Sequence, residues 1–425
     1  MKILTARYVV PISSEPIEYG AVVIDGSEIR RVGKKSEIER EFAGMETEDL
    51  GDAAILPGLV NCHSHLELTG LRNALDDVEH DFRSWLLKLN KLRSEFSTDG
   101  IYASAEAGAA EGAQAGVTCF GDIGRFAEAG IAAISKIGLR GIVYQETEFA
   151  PDNRTADSAF SALAAKYESL LSQETDLLKI GISPHSPYTV GSRLFELIAQ
   201  YSIINRVPMT IHAAESQSEV ELLTEGTGFF TEVYENFDLE WSSPHSTPIE
   251  YLDRLGVLSA QPLLAHCVVV TNDDIKRMGS NGVKVAHCPK SNAKFGHGYA
   301  PLEDFLDVEI PVGLGSDSGA SNNICDLFEE SRFASLAARN RMGSSRFIES
   351  REILEMATLG GARALGLADK IGSLEKGKEA DLAVVSLSSI RQKPVNDIHA
   401  ALVFSTSAYD VMMTMVAGRE IYRRV

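Results

Sequence analysis

No apolar stretch in this chain approaches the roughly 20 residues a membrane span requires. Its start, MKILTARYVV, lacks the long apolar core and small-residue cleavage site of a signal peptide. A cytoplasmic protein is therefore expected. Cysteine is scarce: Cys62, Cys119, Cys267, Cys288 and Cys325 are odd in number, scattered and never in a C-x-x-C pair. That argues against a disulfide framework and a thiolate zinc site. Basic residues are also outnumbered. With 40 Lys and Arg against 60 Asp and Glu the net charge is −20, the wrong sign for nucleic acid or an anionic membrane as main partner. Low-complexity tracts and obvious internal repeats are missing too. What remains is ordinary globular composition, 425 residues at 44% hydrophobic and 24% charged, enough for one large barrel and a smaller domain. A small-molecule enzyme fits, and a homodimer is compatible with an acidic barrel of this size.

The chain is organised around ILPGLVNCHSHLELTG, Ile55 to Gly70. An apolar run delivers His63 and His65 two residues apart, and on a strand such residues point to one side. A buried structural histidine explains any single His, so the decision rests on what converges with this pair.

Residues 1 to about 54 read as short strands with turns, Asp25-Gly26 marking a hairpin. Residues 366–425 have the same texture, with ADLAVVS and VMMTMVAGREIY as strands. Two half-sheets at opposite ends of a chain can pair, so one composite flanking β-sandwich is expected. Between them, residues 55–365 alternate strand and helix. Eight candidate strands are Ile55–Asn61, Val117–Gly121, Leu139–Glu146, Leu178–Ser183, Val207–Ala213, Leu263–Cys267, Val283–Cys288 and Val312–Ser316. Helical patterns over Tyr102–Ala115, Ala156–Leu171, Ser192–Tyr201 and Asp273–Met278 separate many of them. The fold class is α/β, a (β/α)8 TIM barrel. An open doubly wound sheet loses because polar residues sit at the carboxyl ends of so many strands. Two insertions, 66–100 and 226–258, interrupt the alternation.

Those strand ends carry His212, His266, His287 and Asp317 in turn. Buried His and Asp are costly unless paired, so a common end for all of them favours a metal. His63, His65, His212 and Asp317 supply three nitrogens and one carboxylate oxygen, suiting zinc or ferrous iron with room for a water. A binuclear site would need a lysine at the end of the fourth strand. That end is Ser183-Pro184-His185, and Lys179 lies near its beginning, so one divalent metal is expected.

The motifs PGLVNCHSHLEL, SPHSPYTV, HAAES, LLAHCVVVT, VAHCPKSNAKFGHG and LGSDSGASNN occur in this order along nearly the whole chain. Through them the chain resembles the amidohydrolase superfamily, in its cytosine deaminase-like and chlorohydrolase branch. The resemblance implies a metal-bearing barrel flanked by a β domain from both chain ends. It also implies roles: His63, His65, His212 and Asp317 on the metal, Glu215 as proton shuttle, and His266 holding the attacking water. A bound divalent ion would lower the pKa of its water from about 15.7 towards roughly 7. Asp317 would take that proton, and a protonated Glu215 would pass its own to a ring nitrogen of the substrate.

His185 is similar to a substrate-contacting His of the nucleoside-deaminating relatives. Glu67 and Arg72 follow the first metal motif, where they could bind a polar substrate group or each other. Ser291 and Asn292 are placed at the barrel mouth, and His287 beside them is either a loop hydrogen-bonder or functional. Trp85 shares an apolar helical stripe with Phe82, Leu86 and Leu89, which favours packing over stacking on substrate. His297, between Gly296 and Gly298, reads as a flexible-loop residue, and His80, His245 and His399 as surface or core.

HSHLEL followed by a tryptophan-bearing helix resembles the aminodeoxyfutalosine deaminases. Adenosine, methylthioadenosine and S-adenosylhomocysteine deaminases share the HAAE-like and HSPYT-like motifs. Leu66-Glu67-Leu68 departs from the small-residue continuation usual in the S-adenosylhomocysteine enzymes. The implied reaction is hydrolytic loss of ammonia from an adenine-type ring. Another heterocycle, such as a pterin, guanine or triazine losing ammonia or halide, is the alternative. An inactive binding barrel would show a broken ligand set, and none is broken.

Overall fold

The computed structural model of the chain describes residues 1–343 and 345–424. Eight parallel strands run round a closed barrel: Leu59–His65, Val117–Gly124, Arg140–Glu146, Leu178–Ser183, Thr210–Ala213, Leu263–His266, Lys284–His287 and Val312–Leu314. The first four pair in sequence, as do the last four. A bridge from Ile182 to Met209 joins the fourth to the fifth. The circle closes just past the eighth, where Asp317–Ser318 pairs with Ser64 and His65.

Every residue of the second and third strands is buried, as expected where helices cover the outside and side chains fill the inside. Some of the covering helices begin with side-chain caps. Ser97 accepts from the Gly100 amide at the head of Thr98–Gln114. Thr271 and Asp274 form a reciprocal capping box before Asn272–Ser280.

One strand boundary differs from expectation. The run Ile55–Asn61 is not a single barrel strand: it divides at Gly58, and Ala53–Pro57 belongs to the flanking sheet. An apolar run buried throughout carries no mark of a change of sheet. A Cβ at Gly58 would lie 2.1 Å from side-chain atoms of Thr118, so glycine is what lets the chain cross there. On the flanking side, Ala53–Pro57 pairs antiparallel with Leu382–Ser386 and parallel with Tyr8–Val9.

Both chain ends thus hydrogen-bond into one mixed eight-stranded sheet. It is curled so far that Glu28 bridges Glu379, enclosing Leu4, Val22, Ile55, Leu382, Val384 and Met413. The expected hairpin joins Ile17–Asp25 to Glu28–Lys34 through Gly26 at φ 62°. A buried ion pair ties this sheet to the barrel: Arg140, first in the third strand, reaches Asp381 at 2.8 and 3.2 Å. The C-terminal segment also contains a helix, Ile398–Phe404, packed on the barrel helices Leu327–Met342 and Ser350–Glu355.

The first insertion holds a short 3-10 turn, Leu66–Leu71, and the helix Phe82–Glu95 with Trp85 and Leu89 on its buried face. The second holds the helices Phe229–Asn236 and Pro248–Arg254. Among the described residues no helix is long and apolar enough to cross a membrane.

Candidate metal centre and active site

The carboxyl ends of the first, fifth, sixth and eighth strands bring His63, His65, His212, His266 and Asp317 together. Ligand atoms of His63, His65 and His212 lie within 4.8 Å of one another, as do those of His63, His266 and Asp317. Asp317 Oδ1 is 3.5 Å from His63 Nε2 and 3.7 Å from His65 Nε2. His65 Nε2 and His212 Nε2 face each other at 3.2 Å. The His185 carbonyl accepts from His212 Nδ1 at 3.1 Å, which leaves His212 Nε2 as a lone pair. Both ring nitrogens of fully buried His63 have no hydrogen-bond partner.

Such a set is costly as packing alone. It is what a divalent ion requires: neutral imidazoles and an ionised carboxylate aimed at one point. Burial depresses the imidazoles, His65 to about 3. Burial pushes the Asp317 carboxyl up, but His63, His266 and His65 around it outweigh this and hold it well below the usual range. The donor set therefore fits one divalent metal. Lys179 is turned outward onto Glu174, so no lysine joins from the fourth strand.

Several contacts orient these groups. Ser291 Oγ donates to Asp317 Oδ2 at 2.6 Å, and the Ser318 amide to Oδ1 at 2.8 Å. His266 Nδ1 lies 2.9 Å from Asn292 Oδ1, directing Nε2 inward, 3.9 Å from Glu215 Oε1. His266, Asp317 and Ala214 hold left-handed φ of 72°, 56° and 51°, strain that collects at functional sites and is sustained by surrounding contacts. At Ala214 that support is Glu219, whose two oxygens accept from the Ala214 and Glu215 amides at 2.9 Å each. Burial pushes the Glu215 carboxyl up to about 7, His212 opposing and Asp317 reinforcing the rise.

A pocket of about 60 Å3 opens over the cluster. Its lining includes apolar side chains, Leu68, Phe82, Trp85, Leu86, Leu89 and Phe295, and polar ones, Arg93, Glu146, His185 and Tyr188.

The amidohydrolase family profile matches residues 54–421. The chain belongs to the amidohydrolase family. It is 31% identical over 419 residues to a 5-methylthioadenosine/S-adenosylhomocysteine deaminase of Moorella thermoacetica, covering 98% of this chain and 92% of that one. It is also 31% identical to a 5'-deoxyadenosine deaminase of Methanobrevibacter smithii, covering 93% and 88%. Among solved structures, a zinc-bound adenosine deaminase from Xanthomonas campestris superposes with a TM-score of 0.88 at 28% identity, covering 99% of this chain and 92% of that one. The departure at Leu66-Glu67-Leu68 thus does not separate this amidohydrolase from relatives bearing the S-adenosylhomocysteine name.

Within this amidohydrolase the structure redistributes some expected contacts. Arg72 is not at the pocket: it pairs with Glu111 on the flanking helix Thr98–Gln114. Glu67 does not line it either. Its oxygens are consumed by Arg93, the Phe126 amide at 3.0 Å and the Arg125 amide at 3.4 Å, so it anchors the insertion helix and heads the helix Ala127–Ile137. Ser291 and Asn292 also lie off the pocket wall and serve Asp317 and His266 instead. Trp85 packs against Phe82 and Phe295, centroids 6.2 and 4.8 Å apart, and also faces the pocket. His185 lines it. His287 is buried beside a separate small cavity.

His297 is no free loop residue. Its side chain is 7% exposed, with Nε2 3.8 Å from Glu215 Oε1. Arg93, Glu146 and Glu219 went unremarked in the sequence, although each carried a signal. Arg93 continues the stripe of Phe82, Trp85 and Leu89, Glu146 ends an apolar strand run, and Glu219 stands three residues after the capping Ser216.

Proposed function

We propose that this chain is a hydrolytic deaminase of adenine-type nucleosides, releasing ammonia from the ring, with one zinc ion as cofactor and iron(II) as its substitute. His63, His65, His212 and Asp317 would hold the ion, with His266 beside it. Bound there, a divalent ion supplies Lewis acidity that brings the pKa of a water from about 15.7 to about 7.

The observation that carries the reading is Glu215. It is a buried carboxyl on the pocket wall, pushed up to about 7 by burial, three residues beyond His212. In its acid form it donates to the ring nitrogen beside the amino-bearing carbon, making that carbon electrophilic. Asp317, ionised and fixed by Ser291, accepts a proton from the attacking water. His266 holds that water against the carbon. Asp317 then returns its proton to the departing amine, and Glu215, left ionised, takes the remaining proton off the added hydroxyl, so that ammonia leaves and both carboxyls are restored. An amine must gain a proton to depart whereas a halide need not, so two proton-transferring carboxyls at this position suit amine loss. The relatives named for 5-methylthioadenosine, S-adenosylhomocysteine and 5'-deoxyadenosine support adenosines altered at the 5′ position as substrates.

The test is ammonia release from a panel of adenosine, 5′-deoxyadenosine, methylthioadenosine, S-adenosylhomocysteine and aminodeoxyfutalosine, using zinc-loaded protein and a Glu215→Gln control. Turnover of one member, abolished by the substitution, is expected. Silence across the panel with metal bound would overturn the reading and move the search to pterins, guanine and triazines.

A further inference from the structure

Glu146 ends the third barrel strand with its side chain 2% exposed. Its two oxygens are differently placed. Arg125 Nε donates to Oε2 from 3.2 Å, and Arg93 lies 3.5 Å from the same oxygen. Arg93 is in turn held by Glu67, so this half of the carboxylate is fixed and its charge balanced. Oε1 is turned the other way, towards His185, its neighbour on the pocket wall, with 3.8 Å to Nε2. That gap is too long for a direct hydrogen bond. It is short enough for one oxygen atom in the pocket to reach both.

The other face of His185 decides what such an atom must offer. Nδ1 lies 2.9 Å from the hydroxyls of both Ser186 and Thr189. With either hydroxyl donating to it, the imidazole proton sits on Nε2. The pocket then presents a donor and an acceptor side by side. A carboxylate group could accept but not donate and would meet the charge of Glu146. An ammonium could donate but not accept, and Arg93 and Arg125 already balance that charge. A hydroxyl does both.

We infer that Glu146 and His185 together bind a ribose hydroxyl, making Glu146 the residue that selects ribonucleosides over free bases and dideoxynucleosides. The inference rests on the nucleoside reading of this site.

The experiment compares kcat and KM of the zinc-loaded full chain for adenosine and its 2′-deoxy, 3′-deoxy and 2′,3′-dideoxy analogues, in wild type, Glu146→Gln and Glu146→Asp. The expected kcat/KM preference for adenosine over the dideoxy analogue is about 10- to 100-fold, the worth of a hydrogen bond to a charged acceptor. It should appear mainly in KM and follow whichever of the 2′- and 3′-deoxy analogues lacks the bound hydroxyl. Both variants should reduce the preference to about threefold or less while still turning over the dideoxy analogue, which doubles as the folding control. Equal kcat/KM for adenosine and the dideoxy analogue in wild type would overturn the role of Glu146 and leave deamination standing. A preference that survives both substitutions would also overturn it. No turnover of adenosine or any analogue would overturn this inference, and the nucleoside reading falls with it only if the 5′-altered members of the panel are silent too.

Discussion

Glu67→Ala separates an anchor from a substrate contact. The carboxylate is 4% exposed and serves three donors: the Arg93 guanidinium, the Phe126 amide at 3.0 Å and the Arg125 amide at 3.4 Å. Removing one member of a buried ion pair costs about 3–5 kcal/mol. Arg93 keeps Glu146 at 3.5 Å and its side chain is 11% exposed, which places the loss near the lower end. The two amides add back roughly 1 kcal/mol each before water replaces part of it. About 3–5 kcal/mol is a large share of a total near 5–15 kcal/mol. Glu67→Gln keeps an acceptor for the amides and should cost about 1.5–3 kcal/mol. Urea unfolding followed by tryptophan fluorescence reads this directly, since Trp85 sits on the helix that Arg93 fastens and Trp241→Phe removes the other signal. The expected result is an earlier loss of the Trp85 signal. A midpoint moved by less than about 0.5 kcal/mol, together with a tenfold rise in KM, would refute the argument and restore Glu67 as a substrate contact.

Chelation should lower Tm, and added zinc should restore it, because an ion that binds only the native state stabilises it by about 4 kcal/mol at 1,000 times its Kd. An unmoved Tm would speak against the metal. With the Glu215 carboxyl at about 7, the acid form is lost as pH rises, so kcat/KM should fall about tenfold per unit above that point. Glu215→Gln should lower kcat by about 10²–10⁴ and lack that limb, at unchanged metal content. Fully buried Glu330, bonded to Asn322 at 2.6 Å, is pushed by burial from an ordinary 4.5 to about 7 against the pull of Lys290. The native state then holds a proton that the unfolded chain releases, so this group's contribution to stability falls as pH rises from about 4.5 through 7. Urea midpoints across that window should show a shallower decline in Glu330→Gln, and an identical slope would count against the assignment.

The barrel was legible because its strands are apolar runs ending in titratable residues, a pattern that survives without any tertiary information. The convergence of His63, His65, His212 and Asp317 was legible for the same reason. Gly58 was not, because a strand that leaves one sheet for another stays buried on both sides and keeps its composition. Glu67 and Arg72 were placed by proximity to His65 in sequence, but the turn Leu66–Leu71 directs them to helices behind the barrel wall. His297 carried the texture of its glycine neighbours, whereas Phe82 and Phe295, from segments over 200 residues apart, close over it with centroids 4.8 and 5.2 Å away. Glu146 needed the register of the third strand against the fourth, where it lies opposite Ser183, two residues before His185.

The strand bearing His63 and His65 continues, through Gly58, the strand that Leu382–Ser386 clamps from the far end of the chain. A ribosome therefore releases His63 and His65 long before it releases their brace. The nascent chain carries an unclamped first strand until Leu382–Ser386 emerges. Loosening the Leu382–Ser386 clamp would accordingly be felt at His63 and His65, on the opposite side of Gly58.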